Sequence, residues 1–256
     1  MNDPKIVLLA GKGISTNILY HALRHDLHFT AIIVEEPVSK KTFLKKRIKK
    51  LGLLKVIGQI FFQLLIVPFL DRFAAGRKKE IKQLYGLNDA PLPFNDTIMV
   101  NSVNDEACIK KLQALAPNLV IVNGTRIIST NVLNAVAAVF INMHAGITPK
   151  YRGVHGAYWA LVNNDPENCG VTIHRVDKGI DTGGVIDQKN IEITPKDSFV
   201  TYPLLQLATG IPLMQKAITN FKNDAMGTVA VPGSSKLWFH PTMGQYLYNR
   251  IAKRIR

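Results

Sequence analysis

Ile141-Asn142-Met143-His144 and Gly179-Ile180-Asp181-Thr182-Gly183-Gly184 hold the three side chains of this chain best suited to chemistry: a carboxamide, an imidazole and a carboxylate. Attack of an amine on an activated carbonyl needs hydrogen-bond donors for the oxyanion, a path for the proton the amine loses, and exclusion of water. Asn and His side chains donate to an oxyanion, and Asp relays a proton. Asn142 and His144 are two apart, so at the end of a strand both point to one face. Asp181 lies in a Gly-rich turn that only tertiary folding can bring to them. Taken singly, Asn-x-His is an ordinary strand end and Asp before Thr-Gly-Gly an ordinary turn residue. Together they are equipment for moving an acyl group onto an amine.

The elements that must position these groups alternate. Lys5 to Ala10 is a short apolar run of the kind that makes a buried parallel strand. Gly11-Lys12-Gly13-Ile14-Ser15-Thr16 then leads into an amphipathic stretch to about His25, a strand, a Gly-bearing turn and a helix N-terminus. Such a turn presents backbone N–H groups to a phosphate, or is simply a tight connection. It is not a full dinucleotide or P-loop fingerprint, because the third Gly and the Gly-Lys-Ser/Thr ending are missing. Strands are expected at about 29–35, 97–100, 118–122 and 138–142, with helices near 105–116 and from Ser129. Two further strands, 170–176 and 184–193, bracket the Asp181 turn. A helix over 199–222 is expected to be limited by Pro203 and Pro212. This rhythm predicts an α/β fold, Rossmann-like, with a mostly parallel twisted sheet flanked by helices. Ligands then sit beyond the carboxyl ends of the strands, where Gly11, Gly124 and Asn142 fall.

Asn142-x-His144, then Pro149-x-Tyr151-Arg152-Gly153, then Asp181-Thr182-Gly183-Gly184 at this spacing resembles the 10-formyltetrahydrofolate-dependent formyltransferases, the family of glycinamide ribonucleotide, methionyl-tRNA and sugar N-formyltransferases. The likeness covers about residues 115 to 195 closely and 1 to 35 loosely. Tyr158-Trp159-Ala160 looks most like the sugar N-formyltransferases. The resemblance implies a catalytic set of Asn142, His144 and Asp181, and a 10-formyltetrahydrofolate site against Arg126, Ile127, Ile128, Gly179 and Ile180. It also implies acceptor contacts from Gly11, Lys12, Gly13, Ser15, Arg152 and Gly153. The sequence departs from the pattern in one place: many members carry Ser-Leu-Leu-Pro after the His, and here Ala145-Gly146-Ile147-Thr148-Pro149 follows. That puts a Ser contact to folate in doubt.

The formal charge is +14, and its placement matters more than its size. Residues 40 to 82 hold thirteen Lys and Arg against Asp71 and Glu80, a net of +11, and the last seven residues add +4. Everything else therefore sums to −1, so the basicity belongs to an insert at about 38–92 and a tail at 231–256, and the catalytic domain is 1–230 with that insert included. Two cysteines, Cys108 and Cys169, give neither a disulfide framework nor metal-ligand spacing, so no metal is expected and a cytoplasmic setting is the simpler reading. The chain opens into a strand without a leader pattern.

Inside the insert, a lysine-rich segment from Lys40 to Lys50 leads into Leu53 to Leu70, whose only polar side chains are Lys55, Gln59 and Gln63, spaced by four. Gly58, this polar stripe and Pro68 argue against a membrane span. A core or homodimer helix with a solvated basic approach is one reading. An interfacial helix on an anionic membrane, each basic residue contributing on the order of 1 kcal/mol, is the other. No specific nucleic acid is expected, since aromatics are not interleaved with the basic residues. The expected activity is formyl transfer to a primary amine of a small molecule, an amino sugar on a nucleotide or lipid in envelope polysaccharide synthesis. Glycinamide ribonucleotide or methionyl-tRNA chemistry, and a non-catalytic folate- or nucleotide-binding scaffold, are the alternatives. The protein is expected to work in the cytoplasm, peripherally on the inner membrane face.

Overall fold

Ile6–Gly11 forms β1 with every residue buried, as a strand covered on both faces must be. In the computed structural model, which describes residues 3–93 and 97–256, β1 lies inside a seven-stranded sheet. Ile14–Leu23 (α1) follows directly, then Ala31–Glu35 (β2). The insert is helical: Lys40–Leu51 (α2), Leu53–Phe61 (α3), a π-turn over Phe62–Ile66 and Val67–Leu84 (α4). The alternation resumes with Thr97–Val100 (β3), Glu106–Leu115 (α5), Leu119–Asn123 (β4), Thr130–Leu133 (α6) and Val139–His144 (β5). Arg152–Gly153 (β6), Gly156–Val162 (α7), Gly170–Arg175 (β7), Val185–Asn190 (β8), Tyr202–Lys222 (α8), Leu237–Trp238 (β9) and Met243–Ala252 (α9) complete the chain.

The strand order is β3-β2-β1-β4-β5-β7-β8. The first five strands pair in parallel, and β7 and β8 add an antiparallel edge. This is the expected α/β architecture. The order reverses between β1 and β4, and such a reversal opens a crevice beyond the carboxyl ends of the strands. Gly11 ends β1 there, pressed so close to the Gly124 carbonyl that a Cβ on Gly11 would collide with it. Alternation along β1 divides two cores: Ile6, Leu8 and Ala10 face α1, α7, α8, α9 and the insert, while Val7 and Leu9 face α5 and α6.

Two expectations change, and the insert helix runs on past Pro68 to Leu84. A proline ring collides with the carbonyl four residues back and cannot donate to it, and the preceding π-turn widens the helix where that bond is lost. Likewise α8 is continuous from Tyr202 to Lys222: Pro203 sits in its first turn, where no donor is needed, and Pro212 is carried inside. The basic tail is folded onto the domain. Thr242 caps α9 with a reciprocal Thr–Gln245 box, and Tyr246, 1% exposed, packs its ring on Phe62 of the insert at 5.1 Å.

Candidate active site

Asn142 owes its setting to strand register. In the antiparallel β5–β7 pair it stands opposite His174, so both side chains leave the sheet on one face. His174 Nδ1 lies 2.7 Å from the Arg175 carbonyl and must donate to it, which leaves Nε2 to accept the Asn142 amide N–H at 3.1 Å. Burial pulls the His174 pKa below the ordinary imidazole value; charge on His144 acts the same way, and the Arg175 carbonyl and Asp181 oppose it. The ring is therefore a neutral acceptor that fixes which way the Asn142 amide points.

His144, at the end of β5 and 5% exposed, is held at both nitrogens. Its Nε2 donates to the Tyr151 carbonyl at 2.7 Å, and its Nδ1 faces Asp181 Oδ2 at 3.4 Å. Asp181 Oδ1 lies 3.7 Å from His174 Nε2. The turn bearing Asp181 is built to hold this position. Asp181 itself adopts φ 52, a conformation that Asp tolerates better than most residues. Gly153 N–H donates to its Oδ2 at 2.9 Å, Arg152 Nη1 donates to the Ile180 carbonyl at 2.9 Å, and Asp177 accepts from Gly179 N–H and the Thr182 hydroxyl. The carboxamide, imidazole and carboxylate thus meet at the carboxyl edge of the sheet.

Gly146 explains the departure from the Ser-Leu-Leu-Pro pattern. A Cβ at this position would run into the Tyr151 carbonyl and come within 2.8 Å of His144 Nε2. The bond that orients His144 closes the space a serine side chain would occupy.

The loops expected to hold ligands lie along the same edge. Arg126 N–H donates to Glu35 Oε1 at 2.5 Å, and its guanidinium donates to the carbonyls of Glu36 and Asn101. The Asn104 side chain donates to the Ile127 carbonyl and accepts from Ser129 N–H. The segment expected to lie against a pterin is therefore braced across the ends of β2 and β3, with Ile127 58% exposed and Ile128 buried. On the other side, Thr16 donates to the Gly11 carbonyl at 2.7 Å, and Asn123 donates to Thr16 and Ser15. These bonds fix the Gly11–Ser15 turn at the head of α1. Lys12 is exposed and pairs with Glu36 at 2.7 Å.

Two participants are not legible in the sequence, and two others change place. His174 lies in no motif, and only its register opposite Asn142 reveals it. The Tyr151 carbonyl is invisible in a side-chain reading. Arg152 and Gly153, expected at the acceptor, brace the Asp181 turn in the structure.

An amide, an imidazole and an acid gathered at the carboxyl edge of a mostly parallel sheet, one strand from its switch point, are the equipment of a group-transfer site of the α/β class. Residues 74–204 match the formyl transferase family, and the chain belongs to that family. A methionyl-tRNA formyltransferase of Thermodesulfovibrio yellowstonii is 30% identical over 158 residues, 60% of this chain and 50% of that protein. The chain thus spans about half the length of that relative. Among solved structures, a sugar N-formyltransferase from Shewanella sp FDAARGOS_354 superposes with a TM-score of 0.58 at 14% identity, covering 91% of this chain and 76% of that one. An N-formyltransferase from Helicobacter canadensis in complex with folinic acid and dTDP-3-aminofucose gives 0.55 at 19% identity, covering 91% and 70%. At these identities the superpositions speak for the fold. The family match begins within α4, past the apolar part of the insert.

Proposed function

We propose that the protein transfers a formyl group from 10-formyltetrahydrofolate to a primary amine, the acceptor being an amino sugar carried on a nucleotide or a lipid. What supports this reading is that His144 Nδ1 and Asp181 Oδ2 lie 3.4 Å apart at the carboxyl end of the strand that also carries Asn142. The folate cosubstrate would supply the formyl carbon: the acceptor nitrogen bonds to it first, which puts charge on the formyl oxygen, and its bond to N10 then breaks as N10 takes up the proton that the amine has lost. The Asn142 amide carries two N–H donors, one of which His174 takes; the other is the donor we assign to the developing oxyanion. His144 and Asp181 form the path for the proton the amine loses. Arg126, Ile127, Ile128, Gly179 and Ile180 are the residues we assign to the folate, and Gly11, Lys12, Gly13 and Ser15 to the acceptor's phosphate. Beyond the amine, the partner we assign is the anionic cytoplasmic face of a membrane, met through residues 40–70.

The test mixes the protein and 10-formyltetrahydrofolate with a panel of amino sugars, glycinamide ribonucleotide and methionyl-tRNA, and follows released tetrahydrofolate. Release with an amino sugar supports the reading. Release only with methionyl-tRNA, the acceptor in the 30%-identical relative's name, would replace the acceptor, and release with none would leave a folate-binding scaffold.

A further inference from the structure

The insert carries an apolar surface that the folded domain does not use. From Leu53 to Leu84 the helix is long and apolar enough to cross a membrane, yet only 17% of its most apolar eighteen-residue window is buried. Leu54 is 86% exposed, Leu64 68% and Phe73 73%, with Leu53, Leu65 and Phe69 exposed beside them. The opposite face is fastened to the domain. Phe62 is fully buried, 5.0 Å from the Phe199 ring; Gln59 donates to the His240 carbonyl at 2.6 Å, and Arg47 of α2 donates to Gln59 at 2.9 Å. A helix tied to protein along one side and bare along the other cannot cross a bilayer without tearing out Phe62. It suits lying in the plane of the interface.

Charge selects what covers the bare face. The net charge of residues 40–82 is +11, and none of α2 is buried. A second copy docked face to face would set +11 against +11, whereas anionic headgroups complement it and acyl chains take the leucines and phenylalanines. The insert also lies beside the candidate active site. Gln63 contacts His240 Nδ1 at 3.0 Å, and His240 contacts His155 Nε2 at 2.9 Å. His155 is two residues beyond Gly153, whose N–H holds Asp181. The strand Leu237–Trp238 that leads to His240 pairs with Arg152–Gly153.

We propose that α3 and α4 seat the protein in the plane of an anionic membrane surface, with α2 on the headgroups, and that the amine acceptor is borne on a lipid in that same surface. The second half rests on the formyl-transfer reading. An acceptor held in the plane of the seat meets the crevice at an effective concentration that a soluble molecule does not reach.

The experiment has two arms. In the first, the full chain is sedimented with phosphatidylcholine vesicles containing or lacking phosphatidylglycerol, alongside a Leu54→Ser, Leu64→Ser, Phe73→Ser variant whose altered side chains are solvent-exposed and whose circular dichroism reports an intact fold. Wild type pelleting only with anionic vesicles, with the variant left in the supernatant, supports the seat; equal pelleting of the two proteins, or none, overturns it. In the second, tetrahydrofolate release is compared for the same amino sugar carried on a polyprenyl phosphate in those vesicles and on a nucleoside diphosphate in solution. We expect kcat/KM to favour the lipid-borne acceptor by roughly tenfold or more, and that ratio to collapse in the variant. Equal kcat/KM overturns the lipid-borne acceptor and leaves formyl transfer standing. Release from neither, with sedimentation intact, overturns the amino-sugar acceptor, lipid-borne or soluble, and leaves the membrane seat standing.

Discussion

His144 Nδ1 faces Asp181 Oδ2 at 3.4 Å while its other ring nitrogen is bonded to the Tyr151 carbonyl at 2.7 Å. The imidazole cannot turn toward a substrate without breaking a buried hydrogen bond. We therefore assign the proton path to Nδ1 and the carboxylate and the oxyanion to Asn142, a division that the residue types alone, which suit both His144 and Asn142 to the oxyanion, do not make. A separation of 3.4 Å is long for a hydrogen bond, as catalytic contacts in unliganded sites often are.

Asp181→Asn tests the acid. Asn tolerates the left-handed backbone of φ 52, and its carbonyl can still accept from Gly153 N–H, so the turn keeps its shape. What is lost is the ability to take a proton. The turnover of formyl transfer is expected to fall by about 10² to 10³, with the acceptor KM little changed. Steady-state release of tetrahydrofolate reads this, and turnover within tenfold of wild type would remove Asp181 from the proton path.

His174 is a positioning residue, acting through Asn142. His174→Leu removes the acceptor that orients the amide, and a misplacement of about 1 Å at a reacting centre costs on the order of 10²-fold. His174→Gln keeps an acceptor oxygen and should recover part of the loss. The expected signature is a fall in kcat without a matching rise in KM, and rescue by Gln over Leu. Equal activity of the two variants would mean that His174 only fills space.

Much of the site was readable because it follows from local rules. Two-residue spacing put Asn142 and His144 on one face, and short apolar runs placed Gly11, Gly124 and Asn142 at strand ends. What stayed hidden depends on pairing across the chain. His174 matters because β7 runs antiparallel to β5 in a register that sets it opposite Asn142, and no local pattern encodes that register. The C-terminal segment, expected only as a basic tail, is packed on the domain: Tyr246 enters an aromatic cluster with Phe62 and Tyr158, Asn249 bonds the Tyr158 hydroxyl, and Trp238, Met243 and Ile255 lie against the same core. Pro203 and Pro212 argue for an interrupted helix because the cost of a proline is local, yet α8 carries both.

Gly146→Ala tests the close approach beneath His144. The added methyl meets the Tyr151 carbonyl and lies 2.8 Å from His144 Nε2, so the loop or the imidazole must give way. Overpacking of this kind costs about 1 to 3 kcal/mol. Thermal melting should show the loss, and turnover should fall with it because the His144–Tyr151 bond is displaced. An unchanged melting temperature together with unchanged turnover would show that the loop has room to spare.

Acid should loosen the insert before it unfolds the sheet. Burial, chiefly, pushes His155 down to about 3 and His240 to about 4, with Arg47 adding to both and His240 to His155. An unfolded imidazole titrates near 6.5. Folded values below that mean the stabilisation is complete above pH 6.5 and declines as pH falls toward the folded values, since the unfolded chain takes protons the folded one refuses. By pH 5 the loss is about 1 to 2 kcal/mol per histidine. His174, shifted the same way, adds to it, whereas Asp197, held low by Arg77 against the opposing effect of burial, contributes only below its unfolded value. Denaturant unfolding at pH 7.5 and 5.0 should show wild type losing stability and a His155→Asn, His240→Asn variant losing markedly less. Proteolysis near the α2–α3 junction, rising over the same interval in wild type alone, would assign the loss to the insert; equal pH sensitivity of both proteins would move it elsewhere in the fold.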